Sequence, residues 1–429
     1  MRRLIPICTI VITLFNAVVH ANWPEWRGPT ANVVAPAGDY PVEFSSTKNM
    51  LWQVDLAGEG SSTPIVWDEM IYVTLTADEK DVLAAYDLDG DEQWRRVLGA
   101  ARPGKHANAT GSNSSPVTNG KQVVAYFKSG LVVCFDIAGE ELWRLNLQDE
   151  YGKDTLWWDL GTSPVITTAG VCIAVIQEGN SYLVMLDLNT GDVVWKHPRN
   201  YKRPTESDQA YTTPTVAQID GKETIITWGA DYLTGHDAKS GQPLWECGGF
   251  NPKNEGMWRV IASATVADGL AIVQYGRGEF VAAVRVGGSG DITTENRVWE
   301  KRGIGADVPS PIVAEGKAYI LGDKGEVTCL NVQSGDILWQ DRLPRGSAKY
   351  YSSPLLAGDK LYCLRDDGTM FVASVDGGLQ LLGENDLGDR TVATPVPIDG
   401  TLLVRTRTKL FRFGSLEVKL PDSFDSHVD

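Results

Sequence analysis

The chain has 429 residues, 43% of them hydrophobic, and a formal net charge of -16. That balance disfavours nucleic acid as a partner, since phosphates attract clusters of Lys and Arg and the sequence has none. The length would suit two or three ordinary domains, but repeat architectures can exceed that size as one unit, so the domain count depends on internal repetition.

Residues 1–21 read as a secretory signal: Arg2 and Arg3 precede an apolar stretch from Leu4 to Val19, and Val19-His20-Ala21 offers a small-residue cleavage site. The stretch holds 16 residues and includes Asn16, short of the roughly 20 that a spanning helix needs. No later segment is long and apolar enough to cross a bilayer. The mature chain is therefore expected to begin at Asn22, to be exported, periplasmic or extracellular, and to be a soluble monomer. The residue directly after the cleavage site is Asn22 and not Cys, which disfavours a lipid anchor. Residues 22–48 read as an extended N-terminal arm.

From residue 49 one phrase recurs. Ser62-Thr63-Pro64, Ser114-Ser115-Pro116, Thr162-Ser163-Pro164, Thr212-Thr213-Pro214, Pro309-Ser310-Pro311, Ser352-Ser353-Pro354 and Ala393-Thr394-Pro395 each open an apolar run, and Ala262-Ser263-Ala264 supplies an eighth copy. The spacings run from 41 to 52 residues, near the period of propeller blades. A second phrase follows each copy at a similar distance: Asp87 to Gly90 to Trp94, Asp136 to Gly139 to Trp143, Asp187 to Gly191 to Trp195, Asp237 to Gly241 to Trp245, and Asn331 to Gly335 to Trp339. Asp or Asn can bond its own turn backbone and Gly can take a positive φ, so each phrase is a hairpin after which a strand resumes with an aromatic. That Trp is expected to wedge between neighbouring blades. Trp299 ends a sixth copy through a longer loop, and Leu379–Leu382 stand where the seventh would have its Trp strand.

Four short strands per unit and eight units predict an all-β, eight-bladed propeller of antiparallel sheets over residues 49–414, followed by a tail at 415–429. The last unit lacks its Trp strand, while Leu51-Trp52-Gln53-Val54-Asp55-Leu56 is an orphan at the other end and is similar to Leu142-Trp143-Arg144-Leu145-Asn146-Leu147. Pairing the two termini in one blade would close the ring and remove exposed edges. Cys134, Cys172, Cys247, Cys329 and Cys363 are odd in number, and Cys134 and Cys329 sit on apolar strand patterns, so they read as buried small side chains. With no Cys-x-x-Cys and no His pair at ligand spacing, no metal site is expected.

The Asp-x-x-x-Gly-x-x-x-Trp phrases resemble the tryptophan-docking motif of the quinoprotein-dehydrogenase-like propellers. With the opening Trp23-Pro24-Glu25-Trp26-Arg27-Gly28-Pro29, residues 23–413 are similar to PQQ-like (pyrroloquinoline-quinone-binding-like) β-propeller repeat proteins. The resemblance implies a fold shared by quinone dehydrogenases and by scaffolds of the BamB kind. The dehydrogenases cover the quinone with a ring made by two adjacent cysteines and hold calcium with a Glu, Asn and Asp set. This chain has no Cys-Cys pair, and no such calcium set can be placed. It also lacks the lipid-anchoring Cys of the BamB proteins.

In a propeller the segments entering each innermost strand converge on one channel mouth. Here they carry the candidate ligand-binding residues His106, Trp158, Asp159, Tyr211, Trp258, Arg259, Asp307 and Lys349. The Trp side chains equally suit the pinning of long loops, Arg259, Asp307 and Lys349 suit an internal charge network, and His106 suits a surface loop. No catalytic residue is assigned. The leading expectation is a non-catalytic exported propeller that binds a protein partner or small ligand at this mouth, without cofactor. The alternative is a PQQ-dependent dehydrogenase or quinone-binding protein with calcium, in which Arg259 and Lys349 face the quinone carboxylates, a Trp stacks on its plane and Asp307 or Asp159 is the base. A third reading, from the aromatic mouth alone, is a role in extracellular polysaccharide turnover.

Overall fold

Short Val-, Ile- and Leu-rich runs separated by tight turns can satisfy their backbone groups only by pairing with neighbours. In the computed structural model, which describes residues 22–415, they do so in eight antiparallel sheets. The expected signal segment and all but the first residue of the expected tail lie outside the described residues. Blades 1 to 7 span residues 65–100, 117–146, 165–198, 215–247, 265–302, 312–342 and 355–386, each with its strands side by side in chain order. Blade 8 joins 396–413 to Met50–Asp55, with Trp52 opposite Arg412 and Val54 opposite Leu410, which closes the ring as the orphan Trp strand predicts.

The docking phrases work as local devices. The indole N–H groups of Trp52, Trp94, Trp143, Trp195 and Trp299 donate to the carbonyls of Leu88, Ile137, Leu188, Ala238 and Val332 in the next blade, at 2.7–3.1 Å. Each indole lies on the turn glycine of that blade. At Gly191, with φ +76°, a Cβ would stand 2.7 Å from the Trp143 ring, so this position needs glycine both for its turn and for the approach of the indole. The Asp187 carboxylate shapes the same turn by accepting the N–H groups of Asn189 and Thr190 at 2.8 and 3.0 Å.

Two blades depart from the pattern. In blade 5 the last connection is long, and its Gly290–Asp291 pairs in parallel with Trp245–Glu246, adding a fifth strand to blade 4. In blade 7, Gln380–Asp386 takes the place of the Trp strand and leaves Leu381 and Leu382 exposed. All five cysteines among the described residues are buried and free.

The innermost strands leave unpaired backbone groups facing the axis, and the N-terminal arm uses them. Trp23 exchanges two 2.8 Å backbone bonds with Val66 of blade 1, and Pro24 accepts the Thr118 N–H of blade 2 at 2.9 Å. Residues 25–32 then turn back. Arg27 donates to the Pro311 carbonyl, Asn32 bonds both backbone groups of Val313 in blade 6, and the Ala35 N–H donates to Leu356 of blade 7. The arm thus stoppers the channel from one end. Burial there pushes the Glu25 carboxyl up to about 7 and the Arg27 guanidinium down to about 9.

Candidate functional site

Above the stopper, the second residue of each recurring phrase places a hydroxyl at the axis: Thr63, Ser115, Ser163, Thr213, Ser263, Ser310, Ser353 and Thr394. The backbone N–H of Thr63 donates to the Ser115 hydroxyl, that of Ser115 to Ser163, and so on through Thr213, Ser263, Ser310 and Ser353, each at 2.9–3.0 Å. Thr394 donates to Thr63 at 2.9 Å, across the closure of the ring. Seven of the eight neighbouring pairs of blades are therefore held together by a side chain that sequence reading treats only as part of a repeat signature.

Five of these residues, Thr63, Ser115, Ser163, Ser353 and Thr394, floor a cavity of ≈ 460 Å³, within the size range of small-molecule sites, with Trp26 of the arm at its base. The mouth loops that wall it are fixed by carboxylates. Asp159 is buried, accepts the backbone N–H groups of Lys105 and His106 at 2.9 Å, and pairs with the buried Lys128 ammonium. Asp323 accepts the N–H groups of Asp307 and Val308 at 2.7 and 3.1 Å, and burial pushes its carboxyl up to about 6. Asp366 accepts the Lys349 N–H and the Asn108 amide, both at 2.8 Å.

The main charge network lies on the side of blades 3 to 5. Arg259 sits 2.9 Å from Asp307 and 3.3 Å from the buried Glu206, whose Oε1 also accepts the Trp158 indole N–H at 2.8 Å. Arg277 approaches Asp307 at 3.7 Å. Burial raises the Asp307 carboxyl, and the two guanidinium groups pull it back down. The Tyr211 hydroxyl accepts the Trp158 backbone N–H at 3.3 Å, and the His106 ring meets Trp158 and Tyr351 edge-on at 6.0 and 6.3 Å.

The structure therefore brings His106, Trp158, Asp159, Tyr211, Arg259 and Asp307 to one cavity. It places Trp258 elsewhere, half-buried with its ring against Tyr275 and Phe280 at the edge of the core that blades 4 and 5 share. Lys349 is half-buried off the cavity and contributes its backbone N–H to Asp366. Sequence reading omits Trp26, Glu206, Arg277 and Tyr351 from the candidates. Glu206 and Tyr351 stand in the same mouth segments as those chosen, whereas nothing local marks Trp26 or Arg277.

Among the described residues no helix is long and apolar enough to cross a membrane. Residues 33–212 and 289–410 match the family model described as outer membrane protein assembly factor BamB. The protein of that name from Yersinia pestis is 25% identical over 301 residues, covering 68% of this chain and 71% of that one. The Escherichia coli protein of the same name is 25% identical over 305 residues with the same coverage. Among solved structures, BamB from Moraxella catarrhalis superposes with a TM-score of 0.61 at 14% identity, over 85% of this chain and 99% of that one. Quinohemoprotein alcohol dehydrogenase from Comamonas testosteroni gives 0.68 at 13% identity, over 92% and 80%. These structural likenesses establish a common fold on which both binding proteins and enzymes are built.

Proposed function

Because this chain belongs to the family of the outer membrane protein assembly factor BamB, we propose that it is an exported, non-catalytic propeller that binds a protein partner or small ligand through its loop-bearing mouth. The name its relatives carry supports the assembly of outer membrane proteins as the setting, which suits an exported protein in the periplasm. The observation that carries the reading is how the mouth carboxylates are used. Asp159, Asp323 and Asp366 each accept backbone N–H groups that fix the loops, and Arg259 is held between Glu206 and Asp307. Groups engaged in this way support the reading of a surface held in place for binding.

What supports a reading without a calcium-held quinone is the charge at the mouth. The guanidinium best placed for a quinone carboxylate, Arg259, has its charge already offset by two carboxylates. The deciding experiment incubates the purified protein with PQQ, calcium, an alcohol or sugar and an electron-accepting dye. No dye reduction above the protein-free rate is expected; steady substrate-dependent reduction would overturn the proposal.

A further inference from the structure

The chemistry of the cavity narrows the ligand. Its floor consists of donors: the hydroxyls of Thr63, Ser115, Ser163 and Ser353 each accept a backbone N–H, and among the described residues their own O–H groups have no acceptor. Thr394 adds a fifth hydroxyl at the same level. All five residues are buried and fixed by the blades, so their O–H groups face a ligand with little reorganisation left to occur.

The charges of the residues that line the cavity balance, Asp159 and Asp307 against Arg259 and Arg277, and Asp323 behind them is engaged by backbone N–H groups. Lys128 is matched by Asp159, and Arg259 and Arg277 share Glu206 and Asp307. An anionic ligand would face these carboxylates without an unpaired cation to hold it. A cationic one would meet the hydroxyl donors and two guanidinium groups. Either would be desolvated at a cost that the cavity does not offset. A neutral ligand avoids that cost, provided that it offers acceptors to the floor and donors to the wall, where the carboxylates of Asp159 and Asp307 line the cavity. Trp158 and Tyr351 add flat apolar faces beside these polar groups. A molecule with hydroxyls around its rim and an apolar C–H face satisfies all three requirements, and a sugar ring is such a molecule.

We propose that the mouth cavity binds a neutral saccharide, the terminal residue of a glycan, with its oxygens over the ring of Ser and Thr hydroxyls and its carbon face against Trp158. This deepens the non-catalytic reading, on which it rests in treating the sugar as a ligand that is not transformed. Trp158 is a binding residue here, and the stopper at Trp26 makes the site blind, so it accepts a chain end and not a threaded chain.

The test is calorimetric titration of the purified protein with cellotriose, maltotriose, xylotriose, chitotriose and trigalacturonate, each beside its monosaccharide. At least one neutral trimer is expected to bind at one site per chain, with about tenfold weaker binding after Trp158→Ala. Val97→Ser, on the outer strand of blade 1 and 64% exposed, is expected to leave affinity unchanged. A trimer held more tightly than its monosaccharide identifies a glycan end as the source. Failure of every neutral sugar, preference for trigalacturonate, a monosaccharide held as tightly as its trimer, or full affinity in a folded Trp158→Ala protein would each overturn the proposal. Dye reduction by a bound sugar in the presence of PQQ and calcium would instead overturn the non-catalytic reading and leave the saccharide site standing.

Discussion

The joint between blades 3 and 4 and the joint between blades 4 and 5 solve one packing problem in two ways. At the first, Trp195 lies on Gly241 of the next blade and donates its N–H to Ala238 at 3.0 Å. At the second, Trp245 lies against Gly235 of its own blade, and its buried N–H has no partner. Blade 5 has no docking turn to receive it, because residues 286–296 leave the hairpin to add a strand to blade 4. An aromatic group takes over there. Phe250 meets Trp228 and Tyr275 edge-on at 4.8 and 5.2 Å, Arg297 covers the Phe250 ring at 4.2 Å, and Trp258 meets Phe280 at 5.7 Å. The docking motif is therefore a device that can be exchanged joint by joint, and the exchanged joint is the one beside the Arg259 side of the cavity.

The largest expected effect comes from removing the wedge at a regular joint. Trp143→Ala should lower unfolding stability by about 3–5 kcal/mol in urea titration, and Phe250→Ala at the exchanged joint should cost a similar amount. A negligible loss for Phe250→Ala would show that the aromatic group does not carry that joint. A smaller effect separates the two indoles themselves. Trp195→Phe gives up a hydrogen bond and should cost about 1 kcal/mol more than Trp245→Phe, which removes an N–H that has no acceptor. Equal losses would break the comparison.

The blades are legible in the sequence because everything that makes one is local: Asp187, Gly191 and Trp195 stand within a single turn and strand. Closure is legible for a related reason, since Trp52 lies in a segment like that around Trp143 and lacks a blade of its own. The site is only partly legible. Ser115 and Ser163 are visible as members of a phrase, but their function depends on N–H groups about one blade away in sequence. Arg27 reaches Pro311 across 284 residues, and no local pattern announces that the arm turns into the channel. The mouth loops can be found from their place before each Pro phrase. Which way a loop side chain points cannot: Trp258 packs against the core while Trp158 lines the cavity.

The most direct test of the account is an absorbance titration of PQQ with the purified protein at saturating calcium. Carboxylates committed to loop backbone and an arginine already offset by two acids predict an unchanged quinone spectrum at every protein concentration. A saturable spectral change that Arg259→Met abolishes would contradict it, placing a cofactor where a passive ligand is now assigned.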